Sequence, residues 1–504
     1  MMNKLISGPI SVVLASLLLS ACEPEFANVN GNISSGDADF STFVALGDSL
    51  TAGYADSALY RHGQVNSYPA ILAQQFALAG GGAFTQPLMP VEATGSLLAG
   101  GINLMVSDRL VLVPTGNPAS PLGPSPITPP VLTQVVDTPF SPLVGPFNNL
   151  GVPGAKSFHL GLTTYGDPLQ IGASANPYFV RFASATNATM IGDATDQMPS
   201  FFVLWVGNND ILSYATSGGV GVDQNAADNL NPASYGPNDI TDDTVFAGVY
   251  GAPTTGLVDL LTSGTNRGVL VNIPDVTTIP YFTTVPYNAI PMSASFAAFA
   301  NSQMHIINHN AAVAGSALSP AEMAQRTITY VAGQNAMLID DDELPTVAGI
   351  PNKWRQATAA DYITLPTSPK IGTEQSTGNP TTVWGVGTPL TDADVLTEAE
   401  VARVENARAA FNATIAGVAA GNARLLLFDA SAKLTELRDS GIFYGTGGIT
   451  STFATGGGFS LDGVHPTARG YAVVANAIID VINAGFGASI PKVDPGQYST
   501  VFYQ

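Results

Sequence analysis

Phe43-Val44-Ala45-Leu46-Gly47-Asp48-Ser49-Leu50-Thr51-Ala52-Gly53-Tyr54 is the stretch on which the reading of this chain turns. A short apolar run that stops at a glycine reads as a buried strand. Small polar residues follow, and then the pattern turns helical. A serine at such a strand-to-helix turn projects its hydroxyl from the sheet edge. Its own N–H points out of the helix N-terminus, where orphan donors and the helix dipole favour negative charge. That placement suits a nucleophile. The plainer alternative is that Asp48 and Ser49 only cap the helix, since both are good cap residues. Twelve residues by themselves leave both readings open.

Working outward, three more continuous apolar runs look like strands covered on both faces: Phe201 to Val206, Gly268 to Ile273 and Arg424 to Phe428. Helical patterns fall between them. Ser67-Tyr68-Pro69 opens one with Ile71, Leu72, Phe76 and Ala79 on a face, ended by Gly80-Gly81-Gly82. A helical region spans Thr241–Thr262 with a break near Pro253. Thr397-Glu398-Ala399-Glu400 is a capping box before Val404, Ala407, Phe411 and Ile415, and Thr467 starts a last helix ending at Gly485. Alternating strands and helices predict an α/β fold with a mostly parallel sheet and right-handed crossovers.

Two long stretches break this rhythm. Ten prolines between Pro114 and Pro146 exclude regular helix or central strand there, so 83–146 reads as an ordered excursion with a strand at Leu110–Val113, placed to wall a site. Residues 276–395 form a second one, with a helix from Ser295 to Val313 and a short one after Ser319-Pro320. Asp340-Asp341-Asp342-Glu343 lacks the ligand spacing of a calcium loop and reads as a solvated acidic turn.

The 504 residues carry 38 acids against 17 bases, a net charge of −21. That balance argues against nucleic acid as a partner and against a polybasic membrane patch. At the N-terminus, Lys4, an apolar run from Ile10 to Leu19 and Leu19-Ser20-Ala21-Cys22 read as a targeting segment. Its end resembles the lipobox of bacterial lipoproteins. Cys22 is the one cysteine of the chain, so an internal disulfide is excluded. The expectation is a signal peptide over 1–22, lipid attached at Cys22, a membrane anchor on the bacterial envelope, the outer membrane favoured, and a flexible tether over 23–40. One domain over 41–490 and a tail over 491–504 complete the plan.

Of five histidines, His465 stands apart, because Asp462 precedes it by three residues in a turn-like Asp-Gly-Val-His-Pro setting. A carboxylate so placed can hold Nδ1–H and leave Nε2 to face a serine. His305 and His309 share a helix face as a metal pair would, but no Glu at His-Glu-x-x-His spacing joins them. His62 and His159 have surface or structural settings. No Gly-x-Ser-x-Gly elbow occurs.

Four segments in order resemble the blocks of the GDSL, or SGNH, hydrolase family: the opening stretch, Asn149-Leu150-Gly151-Val152-Pro153-Gly154, Gly207-Asn208-Asn209-Asp210 and Asp462-Gly463-Val464-His465. The resemblance implies a three-layer, flavodoxin-like α/β/α sandwich carrying the two excursions as insertions. It implies a Ser49–His465–Asp462 triad. It also implies an oxyanion hole built from the N–H of Ser49, the N–H of Gly154 and the side-chain amide of Asn209. Asp48 and Asp210 would support these loops. The activity implied is an esterase or lipase acting on acyl esters, lipids among them, without metal or cofactor. Two alternatives stand beside it: a carbohydrate O-acetyl esterase with the same site, and a non-catalytic binding lipoprotein on the same scaffold.

Overall fold

Five strands run parallel in one sheet: β1 (Phe43–Gly47), β2 (Asn149–Gly151), β3 (Phe201–Trp205), β4 (Arg267–Val271) and β5 (Leu425–Phe428), in the spatial order β5-β4-β3-β1-β2. The computed structural model describes residues 33–99, 102–104, 108–117, 120–136, 142–445 and 447–504. Residues 33–504 form one compact unit. Gly47 lies level with both Gly151 and Trp205, so the turns that follow β1, β2 and β3 open at one edge of the sheet. The chain goes from β1 to one neighbour, β2, and then back to the other, β3. Where strand order reverses in this way, the carboxyl ends of the strands frame a crevice.

Six helices matter to the site: α1 (Ser49–Ala52), α2 (Tyr68–Leu78), α3 (Asn209–Thr216), α4 (Asp243–Gly251), α5 (Glu398–Ala420) and α6 (Ala468–Phe486). Strand side chains alternate between faces, and both faces are buried. Phe43, Ala45, Phe201 and Val203 pack with Ile71 and Phe76 of α2 and with Tyr471 and Ile478 of α6. Val44, Leu46, Phe202 and Leu204 pack on the other side with Tyr214 of α3, Phe246 of α4 and Phe411 of α5. This double burial explains why the strands read as unbroken apolar runs. The capping box at Thr397 and Glu400 and the Thr467 cap are both formed. The Thr241–Thr262 region is α4 and a short Leu257–Leu261 helix.

In the 83–146 segment, Leu110–Asn117 pairs antiparallel with Ser120–Pro126, a hairpin outside the main sheet. Pro121, Pro124 and Pro126 fit there because a two-stranded ribbon leaves each strand an edge that needs no N–H donor. The 276–395 segment has a core of its own, with Ile306, Tyr330, Met337 and Ile363 buried together.

Three expectations need correction. The helix expected over Ser295 to Val313 is two helices, Ala294–Asn301 and Met304–Ala314. Between them Ser302 Oγ and Gln303 Nε2 both donate to the Phe299 carbonyl, at 2.8 and 3.0 Å, competing with the backbone ladder. The tether does not extend to residue 40: Ala38 and Phe40 are buried, and Asp37 N–H donates to Phe486 O at 2.8 Å. The Asp340–Glu343 run is only partly solvated, since Asp341 is buried against Arg355 at 2.5 Å, with Asp361 on the same guanidinium at 2.6 Å. Residues 1–32, with the targeting segment, Cys22 and most of the tether, lie outside the described residues. No helix among the described residues is long and apolar enough to cross a membrane.

Phe411 is fully buried and stacks on Phe246 with ring centroids 4.2 Å apart, at the centre of the α5 contact. Phe411→Ala leaves a ring-sized void there. It is expected to lower unfolding free energy by about 3–5 kcal/mol, read from chemical denaturation of the two proteins side by side.

Candidate active site

The sheet edge gathers residues from both ends of the chain. Gly47 ends β1 with no room for a side chain: a Cβ there would lie 2.1 Å from the Trp205 carbonyl. Asp48 then caps α1, its Oδ1 accepting Leu50 N–H at 3.0 Å, and Ser49 begins the helix. From the other end, the turn before α6 brings His465 Nε2 to 2.8 Å from Ser49 Oγ, across 416 positions. His465 Nδ1 lies 2.9 Å from Asp462 Oδ2. All three expected triad residues therefore meet, in the order hydroxyl, imidazole, carboxylate.

Asp462 is held by more than the ring. Its Oδ1 accepts Val464 N–H and His465 N–H, each at 2.8 Å, and Ser460 Oγ–H at 3.0 Å; its Oδ2 accepts Ser57 N–H at 2.9 Å. Burial alone would raise its pKa. The nearby imidazole and these donors outweigh burial and bring it down to about 2. Asp462 is thus a carboxylate at any working pH, and it fixes the proton of His465 on Nδ1.

Of the expected oxyanion donors, Asn209 lines the cleft with His465. Ser49 N–H and Gly154 N–H donate to no acceptor among the described residues. Gly154 has φ +80°, a backbone state that favours glycine. Asn209 opens α3 and lines the cleft beside His465, and its Nδ2 donates to Ala155 O at 3.0 Å. An amide has two N–H donors, so one remains for a ligand.

The Asn208-Asn209-Asp210 triplet stitches the three turns together. Asn208 Nδ2 donates to Asp48 Oδ2 at 2.9 Å, behind the serine. Asp210, fully buried, accepts Ser157 N–H at 2.8 Å and Ser157 Oγ–H at 2.7 Å, fixing the chain just past Gly154. Burial pushes the carboxyls of Asp48 and Asp210 up, that of Asp48 to about 6.

Sequence reading missed Asn208, which hides beside a more suggestive neighbour. It also missed Asp56 and Ser57. Both hold positive φ, at 54° and 63°, and aim groups at the 460–462 turn. Asp56 N–H donates to Ser460 Oγ at 2.9 Å, and Asp56 Oδ1 accepts Leu461 N–H at 2.9 Å. The Tyr54 ring lies tilted at 53° against the imidazole, ring centroids 4.7 Å apart. The faint signal for this loop was its short run of Ala, Asp and Ser straight after the nucleophile helix.

A cleft of about 1100 Å³ is lined by His465, Asp462 and Asn209. Leu110, Leu112 and Leu122 from the hairpin, Leu365 and Pro366 from the second segment, and Phe453 wall it. Among the described residues no Lys, Arg or Glu lines it, but Asp462 and several Ser and Thr side chains do.

The other candidates sit apart from this chemistry. His305 and His309 both approach Trp354, and His309 Nε2 bonds Arg326 O at 2.9 Å; no third ligand group joins them among the described residues. His159 Nδ1 accepts Lys156 N–H at 3.0 Å, and burial lowers its pKa to about 4. His62 Nε2 bonds Ser499 Oγ at 2.8 Å. Asp342, Asp392 and Glu400 bring oxygens within 4.8 Å of one another, and burial raises Asp392 to about 7 and Glu400 to about 8. An acidic cluster alone assigns no ion. Comparison with protein-family models, with curated proteins and with solved structures finds no match to this chain.

Asp48 carries a pH signature. Its folded value of about 6 lies above the ordinary 3.8, so the folded chain keeps a proton that the unfolded chain releases. The resulting stability is complete below about pH 4 and is lost as pH rises through 6, about 3 kcal/mol in all. Asp48→Asn should remove that slope. Asn208 can turn its amide to match, because its buried Oδ1 has no partner among the described residues. Denaturation curves between pH 4 and 7 should show a flatter profile for the variant.

Proposed function

We propose that the protein is a serine ester hydrolase of the GDSL/SGNH type, on a three-layer α/β/α sandwich. The observation that carries this reading is the line of contacts from Ser49 Oγ through both nitrogens of His465 to Asp462. The strand order β2-β1-β3-β4-β5, which is one of the two common doubly wound arrangements, supports the fold.

Ser49 Oγ attacks the ester carbonyl while His465 Nε2 takes its proton. The carbonyl π pair moves to oxygen, which Ser49 N–H, Gly154 N–H and the free Asn209 N–H stabilise. The tetrahedral intermediate collapses, the ester C–O bond breaks, and His465 returns the proton to the leaving alkoxide. Water then attacks the acyl-serine with His465 again as base, releasing the acid and restoring Ser49 Oγ–H. Asp462 orients the ring and offsets the charge that His465 carries in between.

The cleft favours an apolar acyl group. Leu110, Leu112 and Leu122 supply one apolar side, while Ser57, Thr115, Ser213, Thr216, Thr284 and Ser368 place hydroxyls around the rest. The Leu19-Ser20-Ala21-Cys22 stretch supports a lipid anchor on Cys22 at the bacterial envelope.

On short p-nitrophenyl esters, Ser49→Ala should lower kcat by at least about 10⁴-fold. Asn209→Ala should lower it by roughly 10²–10³-fold, with KM little changed. A fluorophosphonate probe should label Ser49 in the folded protein; if no adduct forms, the non-catalytic scaffold is the correct reading. Expressed with its leader in a bacterial host, the chain should partition into detergent, and Cys22→Ser should move it to the aqueous phase.

A further inference from the structure

The cleft wall formed by the 110–126 hairpin has unusual support. A two-stranded ribbon is marginal by itself, and this one shares no edge with the five-stranded sheet. At its base Leu110 N–H donates to Asp56 O at 2.8 Å. Along its side lies the C-terminus of the chain. Leu112 N–H donates to Phe502 O at 2.8 Å and Leu112 O accepts Gln504 N–H at 3.0 Å, so Tyr503 lies parallel to Leu112. The Gln504 amide closes on Thr128 from both sides, accepting its N–H at 3.2 Å and donating to its carbonyl at 2.5 Å. The Phe502 ring sits under the Arg109 guanidinium at 4.8 Å.

The other end of this segment is fixed to α6. Arg469 N–H donates to Ser499 O at 3.0 Å, and Arg469 Nε–H donates to Tyr498 O at 3.1 Å. Arg469 lies in the first turn of the helix that follows His465. Residues 498–504 thus run from the helix behind the imidazole to the wall in front of it. The wall they hold presents Leu110, Leu112 and Leu122 to a cleft of about 1100 Å³. That is far more than an acetyl group fills, since pockets of roughly 300–1,000 Å³ take drug-sized ligands.

We propose that residues 498–504 are a positioning strap that fixes the hairpin wall and so selects long, uncharged acyl chains. This rests on the ester-hydrolase reading above. A short acyl group reacts at Ser49 without reaching the wall, whereas a long one gains burial along it. Each methylene that loses such burial costs about fourfold in kcat/KM. Losing the wall for a few methylenes therefore amounts to one to two powers of ten.

The test compares p-nitrophenyl acetate with p-nitrophenyl dodecanoate on the intact protein, on a chain ending at Thr500 and on Gln504→Ala. Circular dichroism checks folding. The truncated chain is expected to keep kcat/KM on acetate within about threefold. Its dodecanoate-to-acetate ratio is expected to fall at least tenfold, the loss appearing mainly in KM. Gln504→Ala, which removes only the Thr128 clamp, should lower the ratio in the same direction and supplies the comparison if the truncated chain does not fold. Leu122→Asp, a charge set into the wall with the strap intact, should reproduce the loss. An unchanged ratio in the truncated or Gln504→Ala protein, with acetate still hydrolysed, overturns the strap and leaves the hydrolase reading standing. No hydrolysis of either ester by the intact protein overturns that reading itself.

Discussion

The site depends on a few buried hydrogen bonds made by three consecutive residues, Asn208, Asn209 and Asp210. One reaches back to Asp48 behind the serine, one to Ala155, and one to Ser157 on the far side of Gly154. Parallel strands bring their carboxyl ends level but leave the turns beyond them free to splay. Tying the turns to one another with carboxyl and amide groups in a water-poor setting removes that freedom. The serine, the two open N–H groups and the Asn209 amide thus share one rigid frame. The imidazole arrives from outside it.

Three buried acids around Ser49 show how setting decides charge. Asp48 and Asp56 are pushed up to about 6, because burial outweighs the few donors that each receives. Asp462, whose side chain is slightly more exposed, falls to about 2 because four N–H or O–H groups and an imidazole converge on it. The ionised carboxylate is surrounded by donors, whereas Asp48 and Asp56 receive two each. The 54–60 loop supplies part of both environments: its Ser57 N–H goes to Asp462, and its Asp56 accepts Leu461 N–H and Tyr60 O–H.

Much of this was legible in the residues. Phe43 to Leu46 and Phe201 to Val206 are unbroken apolar runs because helices cover both sides of the sheet, and such runs carry a strong signal. The Asp462–His465 spacing is local, so its geometry could be anticipated from a turn. Contacts formed by isolated residues over long distances were not legible. Ser57 needs a positive φ to aim its N–H, and nothing in its identity announces that. Phe502 and Gln504 pair with the hairpin through a bridge too short to show any period. The 276–395 segment hid its helix break because Ser302 and Gln303 are ordinary helix residues until their side chains take the Phe299 carbonyl.

The separation of 416 positions between Ser49 and His465 bears on how the molecule comes into being. A ribosome delivers the hydroxyl, the open N–H groups and most of the sheet long before it delivers the base. Until residues past 465 have emerged and α6 has docked, the unfinished polypeptide holds Ser49 without the imidazole that meets its hydroxyl in the folded chain.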